Sequence, residues 1–374
     1  MREIKKRTVR AAVCATLLSG WAAAAAADDI TTTISGYGTL GGTFTTGDSQ
    51  LQFHHDPTEF SGASSQFDVG LESRIGLQAV VDFGSGFSVT AQELIRKREF
   101  DSYSLGTEWL YIQYAPDSNL KVRLGRVVVG TFLLSDSRNV GYAAPWFRAP
   151  NELYGAQSIQ SLDGGQALWS HDMGPVRLSL QGAFGNTSFS FSNNGSVIDI
   201  SVKNMYNVSA SLEYQNFMVR VARTSLNIPT TLPLSATLIV PFSLKDDFTS
   251  VGVQYDDGKA IVLAEWAKRS DNKAPILDIP LNQTKQWYTA AGWRFGKFTP
   301  LVIYGNFKQG EALGQTPGSY GTWSASLRYD VVRNIALKAQ VSRPQTGNST
   351  YWVTSDPATD KRVNVFSLGA DFVF

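Results

Sequence analysis

The sequence predicts an all-β protein, a transmembrane antiparallel β-barrel of about sixteen strands with one long loop after strand five. Three observations indicate this fold class. Apolar and polar residues alternate over long stretches, short turn sequences recur along the chain, and the last residues form an alternating aromatic strand. A membrane-spanning β-strand shows only this alternation of apolar and polar residues, without a continuous apolar run. No segment after the first thirty residues holds the eighteen or so consecutive apolar residues of a helical span.

Residues 1–27 have the layout of a cleaved secretory signal peptide. A basic start precedes an apolar run from Ala11 to Trp21 and six alanines at positions 22–27. Small residues at the cleavage position are typical of such signals, and the run is too short to span a bilayer. Cleavage would leave residues 28–374 as the barrel. It would remove Cys14, the single cysteine, so disulfides are not expected, and it would change the net charge from +1 to −3, which does not suggest nucleic acid.

The clearest strand is the second, predicted from Phe67 to Phe83 because its alternation has a strict period of two. Its apolar face holds Phe67, Val69, Leu71, Ile75, Leu77, Ala79, Val81 and Phe83, and its polar face holds Asp68, Glu72, Arg74, Gln78 and Asp82. This length exceeds that of an average globular strand. It suits a tilted strand with lipid on one side and water on the other.

Seven short turns and eight longer connections divide the chain. The turns are Gly84–Gly86, Pro116–Asn119, Gly174–Pro175, Gln215–Asn216, Asp256–Lys259, Gly296–Lys297 and Arg333–Asn334. The longer polar connections lie near 45–65, 100–105, 131–164, 185–203, 224–247, 270–284, 309–319 and 344–361. Fifteen connections join sixteen strands. Short turns at one end and long loops at the other are typical of outer-membrane barrels.

The stretch from Val127 to Gly165 interrupts this pattern for nearly forty residues. Connections of this length are usually functional or disordered. Disorder fits poorly, because the segment is rich in aromatic residues that could be buried. These are Phe132, Tyr142, Trp146, Phe147 and Tyr154. We therefore expect an ordered loop that folds against the inside of the barrel.

The chain closes with an aromatic strand. Phe366, Leu368, Ala370, Phe372 and Phe374 share one face, and the last residue is a phenylalanine. This pattern resembles the closing strand of Gram-negative outer-membrane proteins. The resemblance implies that Phe374 and Phe372 form the signal that the barrel assembly machinery reads.

The long loop and the residues before it, Leu124-Gly125-Arg126, make the whole pattern similar to the general porins of Gram-negative bacteria. That family consists of trimeric sixteen-stranded barrels. The resemblance implies a water-filled outer-membrane channel for passive diffusion of small hydrophilic solutes and ions, in contact with outer-membrane lipid. It also implies a homotrimer, no cofactor, and a loop after strand five that narrows the pore between acidic loop residues and basic wall residues.

Charged residues in two groups are the candidates for that constriction. A charge on the lipid-facing side at mid-membrane would cost about 2–4 kcal/mol, so alternation places the wall arginines inside. The loop candidates are Asp136, Arg138, Arg148, Glu152 and Asp163, and the wall candidates are Arg74, Arg96, Arg123 and Arg126. Arg126 follows Gly125, an expected irregularity, so alternation does not fix its direction.

The sequence is also compatible with functions other than that of a plain channel. A substrate-selective porin would have a solute-binding site in the long loop. The chain could also be an outer-membrane barrel enzyme or an adhesin, but its sequence contains no catalytic signature. His54-His55-Asp56 lacks further spaced ligands, so we expect no metal site. Glycines in the first strand would suit either a subunit contact or a bulge; they are Gly36, Gly38, Gly41 and Gly42.

Overall fold

The computed structural model describes eleven stretches of the chain. They are residues 30–46, 52–54, 62–97, 102–155, 159–193, 196–233, 239–272, 282–311, 317–344, 352–353 and 363–374. The predicted signal peptide and Cys14 lie outside the described residues. Within the described stretches, no helix has the length and apolarity to cross a membrane.

Sixteen antiparallel strands form one closed barrel in which β1 pairs with both β2 and β16, confirming the predicted fold class. The first eight are β1 (Thr31–Thr45), β2 (Arg74–Gly84), β3 (Phe87–Lys97), β4 (Tyr103–Tyr114), β5 (Leu120–Val128), β6 (Ser161–Met173), β7 (Val176–Asn193) and β8 (Ser196–Tyr214). The others are β9 (Phe217–Pro233), β10 (Ile239–Asp256), β11 (Ala260–Asp271), β12 (Gln283–Trp293), β13 (Phe298–Gln309), β14 (Gly318–Val332), β15 (Ile335–Pro344) and β16 (Val365–Val373). Outside the barrel wall, Gln52–Phe53 pairs with Trp352–Val353.

Alternation along the strands sorts the wall into an apolar outer face and a polar inner face. On β2, Ile75 and Leu77 are exposed, whereas Gln78 accepts a hydrogen bond from Gln92 of β3 at 2.9 Å. Exposed large apolar side chains recur on the same face of the other strands. Because a barrel has no free edge, every strand can satisfy its backbone groups within lipid.

The predicted bounds of one strand and two loops were wrong. The second strand begins at Arg74, and the seven residues before it contribute only an isolated bridge between Asp68 and Thr43. The Asp68 carboxylate accepts hydrogen bonds from the backbone of Gly70 and Leu71, which turns the chain there. The predicted loops 185–203 and 224–247 are largely strand, because β7 to β10 are 17 to 19 residues long.

The barrel closes at the seam between β1 and β16. Gly36 and Phe374 exchange two backbone hydrogen bonds of 2.9 Å. A Cβ atom at Gly36 would lie 2.3 Å from the Phe374 ring, and one at Gly38 would lie 2.3 Å from the Phe372 ring. These two glycines of the first strand therefore make room for the aromatic rings of the last one, a role that the sequence analysis did not foresee.

Candidate functional site

The candidate site is the segment between β5 and β6, residues 129–160. Its ends meet at the wall, where Val129 N donates to Gln160 O at 2.9 Å. Two short 3₁₀ turns, Ser135–Ser137 and Gly141–Ala143, and the short helix α1, Asn151–Tyr154, give it local order. Its groups bond to side chains on the polar face of strands all around the barrel. A segment that reaches that face from several sides lies within the barrel.

Arg148 forms the first attachment of this loop to the wall. Its guanidinium pairs with Glu72, with an Nε–Oε1 distance of 3.0 Å, and donates to Thr43 of β1 at 2.8 Å and Ser367 of β16 at 2.6 Å. The side chains of Arg148 and Glu72 are 8% and 2% exposed. A buried ion pair with additional hydrogen bonds to the wall fixes the geometry of the loop. Arg148, predicted at the constriction, therefore serves as an anchor.

Two cations of the closing strands hold the second attachment. Lys338 of β15 donates from Nζ to the carbonyl oxygens of Gly141 and Ala144, at 2.6 and 2.7 Å, and pairs with Asp371 at 2.9 Å. Arg328 of β14 donates to the Ala144 carbonyl as well, at 3.0 Å. Charged donors of the wall thus bind two carbonyl oxygens at the second 3₁₀ turn of the loop.

A carboxylate on the opposite wall holds the third attachment. Glu265 of β11 accepts hydrogen bonds from Leu133 N at 2.9 Å, from the Tyr154 hydroxyl at 2.5 Å and from the Tyr288 hydroxyl at 2.7 Å. Burial raises the pKa of Tyr154 well above its ordinary value, so the hydroxyl keeps its proton and remains a donor. The ring of Trp146 meets Tyr288 edge-on, with centroids 5.6 Å apart.

Glu152 lies on the wall side of the loop. It is 3% exposed and sits over Gly305 of β13, where a Cβ atom would come within 2.3 Å of Oε2. Burial raises the pKa of its carboxyl, against a hydrogen bond from Thr322 that lowers it. Sequence reasoning placed Glu152 with Asp136 in the lumen, but the structure separates the two carboxyls.

Asp136 remains exposed on the other side of the loop. The space beside it is lined by loop and wall residues, which are Tyr37, Gln92, Glu108, Trp109, Val128, Ser135, Asp136, Arg138, Asn139, Val140 and Gln160. Arg138 also turns back to its own loop, where Nη2 donates to the Tyr154 carbonyl at 2.5 Å. Of the predicted loop acids, Asp136 is therefore the one that faces open space.

Three predicted wall arginines lie on the inner face of neighbouring strands. Arg74 donates from Nε to the Asn139 carbonyl of the loop at 3.0 Å, and Arg96 is its register partner on β3. Arg123 of β5 donates to Gln113 at 2.9 Å and stacks over the Tyr111 ring at 4.6 Å. The inner wall on this side of the barrel therefore carries arginines together with the carboxylate of Glu108.

Arg126 and Asp163 lie on the outer face, in contrast to their predicted place at the constriction. Their side chains form a bidentate pair, with both N–O distances at 2.7 Å, and are 34% and 54% exposed. Asp163 shares a face of β6 with the exposed Trp169, and Arg126 is the register partner of Asp163, so both side chains lie outward. Gly125, which precedes Arg126, has a φ of +130° that favours glycine.

The Gram-negative porin family model matches residues 11–372 of the sequence. The chain belongs to the Gram-negative porins. No match was found among curated protein sequences.

Several solved structures share the fold of this porin at low sequence identity. The anion-selective porin from Comamonas acidovorans is 12% identical, with a TM-score of 0.62 over 92% of this chain and 100% of its own. The trimer form of OmpT from Vibrio cholerae is also 12% identical, with a TM-score of 0.60 over 93% and 100%. OmpF from Salmonella typhi is 14% identical, with a TM-score of 0.54 over 93% and 98%.

Sequence reasoning missed the wall residues that hold the loop of this porin. Lys338 and Asp371 stand at inward positions of β15 and β16, so charge at an inward position of the closing strands was the available signal. Glu265 is likewise a charged residue at an inward position, on β11. Their partners are loop carbonyls and hydroxyls, which no spacing rule in the sequence identifies. Within the described residues, no group of three or more His, Cys, Asp or Glu side chains could hold a metal ion.

Arg148→Ala is expected to lower the free energy of unfolding of this porin by about 3 kcal/mol, because it removes the positive charge that compensates the buried Glu72 carboxylate. Urea titration of the refolded protein in detergent measures the change. The control is the double variant Glu72→Gln with Arg148→Met, which removes both charges at similar volume and should recover most of the loss. An unchanged free energy in Arg148→Ala would contradict the anchoring role.

Proposed function

We propose that this porin is a water-filled outer-membrane channel for passive diffusion of small hydrophilic solutes and ions, narrowed by residues 129–160. The observation that carries the proposal is the attachment of this loop to inner-face side chains on both sides of the barrel, through Arg148 on one side and Tyr154 on the other. A loop held in this way divides the interior and leaves passage along its open face. The channel works without catalysis or cofactor.

The charges along that open face support an ion-selective passage. Asp136 is exposed on the loop, and Arg74, Arg96 and Arg123 lie on the inner wall. Two unit charges about 4 Å apart interact by about 1 kcal/mol in water and about 4 kcal/mol at an effective dielectric constant of 20. Because permeability depends exponentially on such energies, a single charge in a narrow aqueous gap shifts the ratio of anion to cation permeability several-fold.

The remaining elements of the proposal concern export and assembly. Residues 1–27 would be removed as a signal peptide, and the barrel assembly machinery would insert the chain. We also propose a homotrimer. Support comes from the solved trimer form of the OmpT porin-fold protein, which shares this fold.

Reversal potentials in a salt gradient test the charges at the constriction. Asp136→Asn is expected to move selectivity towards anions, because it removes the exposed acid of the loop. Arg123→Gln is expected to move it towards cations, because it removes an inner-face cation. Each shift should shrink at high salt, since the screening length falls from about 10 Å at 0.1 M to about 3 Å at 1 M.

Glu152→Gln is the matched control. It makes the same chemical change on the same loop, but the carboxyl is buried against the wall and its pKa is raised. We expect a reversal potential close to that of the parent protein. Equal shifts in Asp136→Asn and Glu152→Gln would contradict the assignment of the open face. Conductance that saturates with solute would favour the substrate-selective alternative, whereas conductance proportional to salt supports a plain pore.

A further inference from the structure

Three lysines form a row on the outer face of the barrel. Lys268 of β11 is the register partner of Lys285 of β12, and Lys285 is the register partner of Lys308 of β13. All three are exposed. They lie at the end of the strands away from the short turns, which is the extracellular end in outer-membrane barrels. Register partners have Cβ atoms about 5 Å apart, so the ammonium groups gather along roughly 10 Å of the rim.

Within the part of the chain that the structure describes, no acid compensates the charge of this row. Like charges directly opposite each other on neighbouring strands destabilise a sheet. None of the three lysines forms an ion pair with another of the described residues. Asp247, two residues along from the register partner of Lys268 on β10, is engaged by Arg223 at 3.2 Å and by Lys245 at 3.8 Å. The arrangement calls for an anion from outside the chain.

The aromatic residues beneath the row indicate where that anion would come from. Trp266 and Trp287 are register partners on β11 and β12, two residues nearer the membrane centre than the lysines. The belt continues through Tyr304 on β13 to Trp323 on β14, with ring centroids 5.4 and 4.7 Å apart. Such aromatic belts lie at the level of lipid headgroups. The lysines therefore stand at the height of the headgroups in the outer leaflet.

We propose that Lys268, Lys285 and Lys308 bind the phosphate groups of an anionic lipid in the outer leaflet. The lipid chains lie along the apolar wall below, the sugar or glycerol headgroup rests on the aromatic belt, and its phosphates neutralise the row. The outer face on the other side of the barrel differs, since Arg126 there is already paired with Asp163. The site thus directs a phosphate-bearing lipid to the β11–β13 side of the molecule.

The experiment uses the purified full barrel in lipid nanodiscs, with native mass spectrometry to count retained lipids. The probe is a bisphosphorylated lipid A, and its fully dephosphorylated analogue with the same acyl chains is the comparison. The variant combines Lys268→Gln, Lys285→Gln and Lys308→Gln. A basic residue near a charged lipid surface contributes about a fivefold change in binding, so the three together should weaken retention by about a hundredfold.

The matched control combines Lys259→Gln, Lys297→Gln and Arg333→Gln, which removes the same charge from the short-turn end of the barrel. Retention of the phosphorylated lipid by the parent and control proteins, with loss in the row variant, supports the proposal. The proposal is overturned if the parent protein retains the dephosphorylated lipid as well as the phosphorylated one. It is also overturned if the row variant retains the phosphorylated lipid as well as the parent protein does. Displacement by inorganic phosphate alone at equal concentration overturns it too, since this would indicate a site for free anions. Heat-dependent gel mobility verifies that each variant is folded.

Discussion

Excision of the loop is expected to raise single-channel conductance several-fold while the barrel still assembles. The structure gives a clean place for the cut, because Val129 N and Gln160 O are hydrogen-bonded across the β5–β6 ladder. A variant that lacks residues 131–158 and joins Gly130 to Ile159 through Asn-Gly would continue β5 and β6 as a hairpin, since these residues favour a two-residue turn. The interior would then hold water where the loop had been.

Most of the residues that lose a partner in this variant are polar wall groups. Glu265 and Lys338 would face water instead of the loop, so neither would be left buried without a partner. We therefore expect folding to survive. Planar-bilayer recording measures the conductance, and heat-dependent gel mobility checks the barrel. An assembled variant with parental conductance would show that the loop does not limit the pore.

Deletion of Phe374 is expected to abolish the assembled barrel in cells but to spare refolding in detergent. In the folded state the residue contributes two backbone hydrogen bonds with Gly36, and its ring is 62% exposed on the outer face. Two hydrogen bonds are worth about 2 kcal/mol in all, which is too little to prevent folding. A complete loss in cells would therefore reflect failed recognition by the assembly machinery.

Two variants sharpen this test. Phe374→Tyr keeps an aromatic ring at the terminus and should assemble at parental levels. Phe374→Asp puts a charge near the membrane interface, where the cost to the folded barrel is only about 0–1 kcal/mol, yet we expect it to block assembly in cells. Quantified barrel in isolated outer membranes, compared with refolding yield in detergent, separates the two effects. Normal amounts of the deletion variant in outer membranes would contradict the role of Phe374 as an assembly signal.

Strand number, strand direction and the place of the long loop could be predicted because they depend on local patterns. Alternation around Ile75 and Leu77 identifies the lipid-facing side, and turn residues such as Gly174-Pro175 mark the short connections. Both signals act over a few residues. Prediction failed where a tertiary contact overrides the pattern. Glu72 was predicted within the second strand, but it lies before β2 and pairs with Arg148.

The roles of the loop charges could not be predicted, because the direction of a side chain cannot be inferred from the sequence of a loop that has no periodicity. Asp136 and Glu152 look equivalent in the sequence, yet one is exposed and the other is buried over Gly305, 153 positions further along the chain. Arg126 was undetermined for a different reason. Gly125 allows an unusual backbone, so the direction of the next side chain depends on the register with β4 and β6.

The position of Arg148 links the attachment of the loop to the closure of the barrel. Its guanidinium reaches Thr43 on the first strand and Ser367 on the last, which lie 324 positions apart. Both hydroxyls come together only when β1 and β16 have paired. Until β1 and β16 pair, the guanidinium of Arg148 cannot reach both hydroxyls, so this attachment of the loop is incomplete in an open barrel. The attachment of the loop through Arg148 therefore depends on the same strand pairing that closes the wall, so a constriction of the kind proposed above would be complete only in a closed barrel.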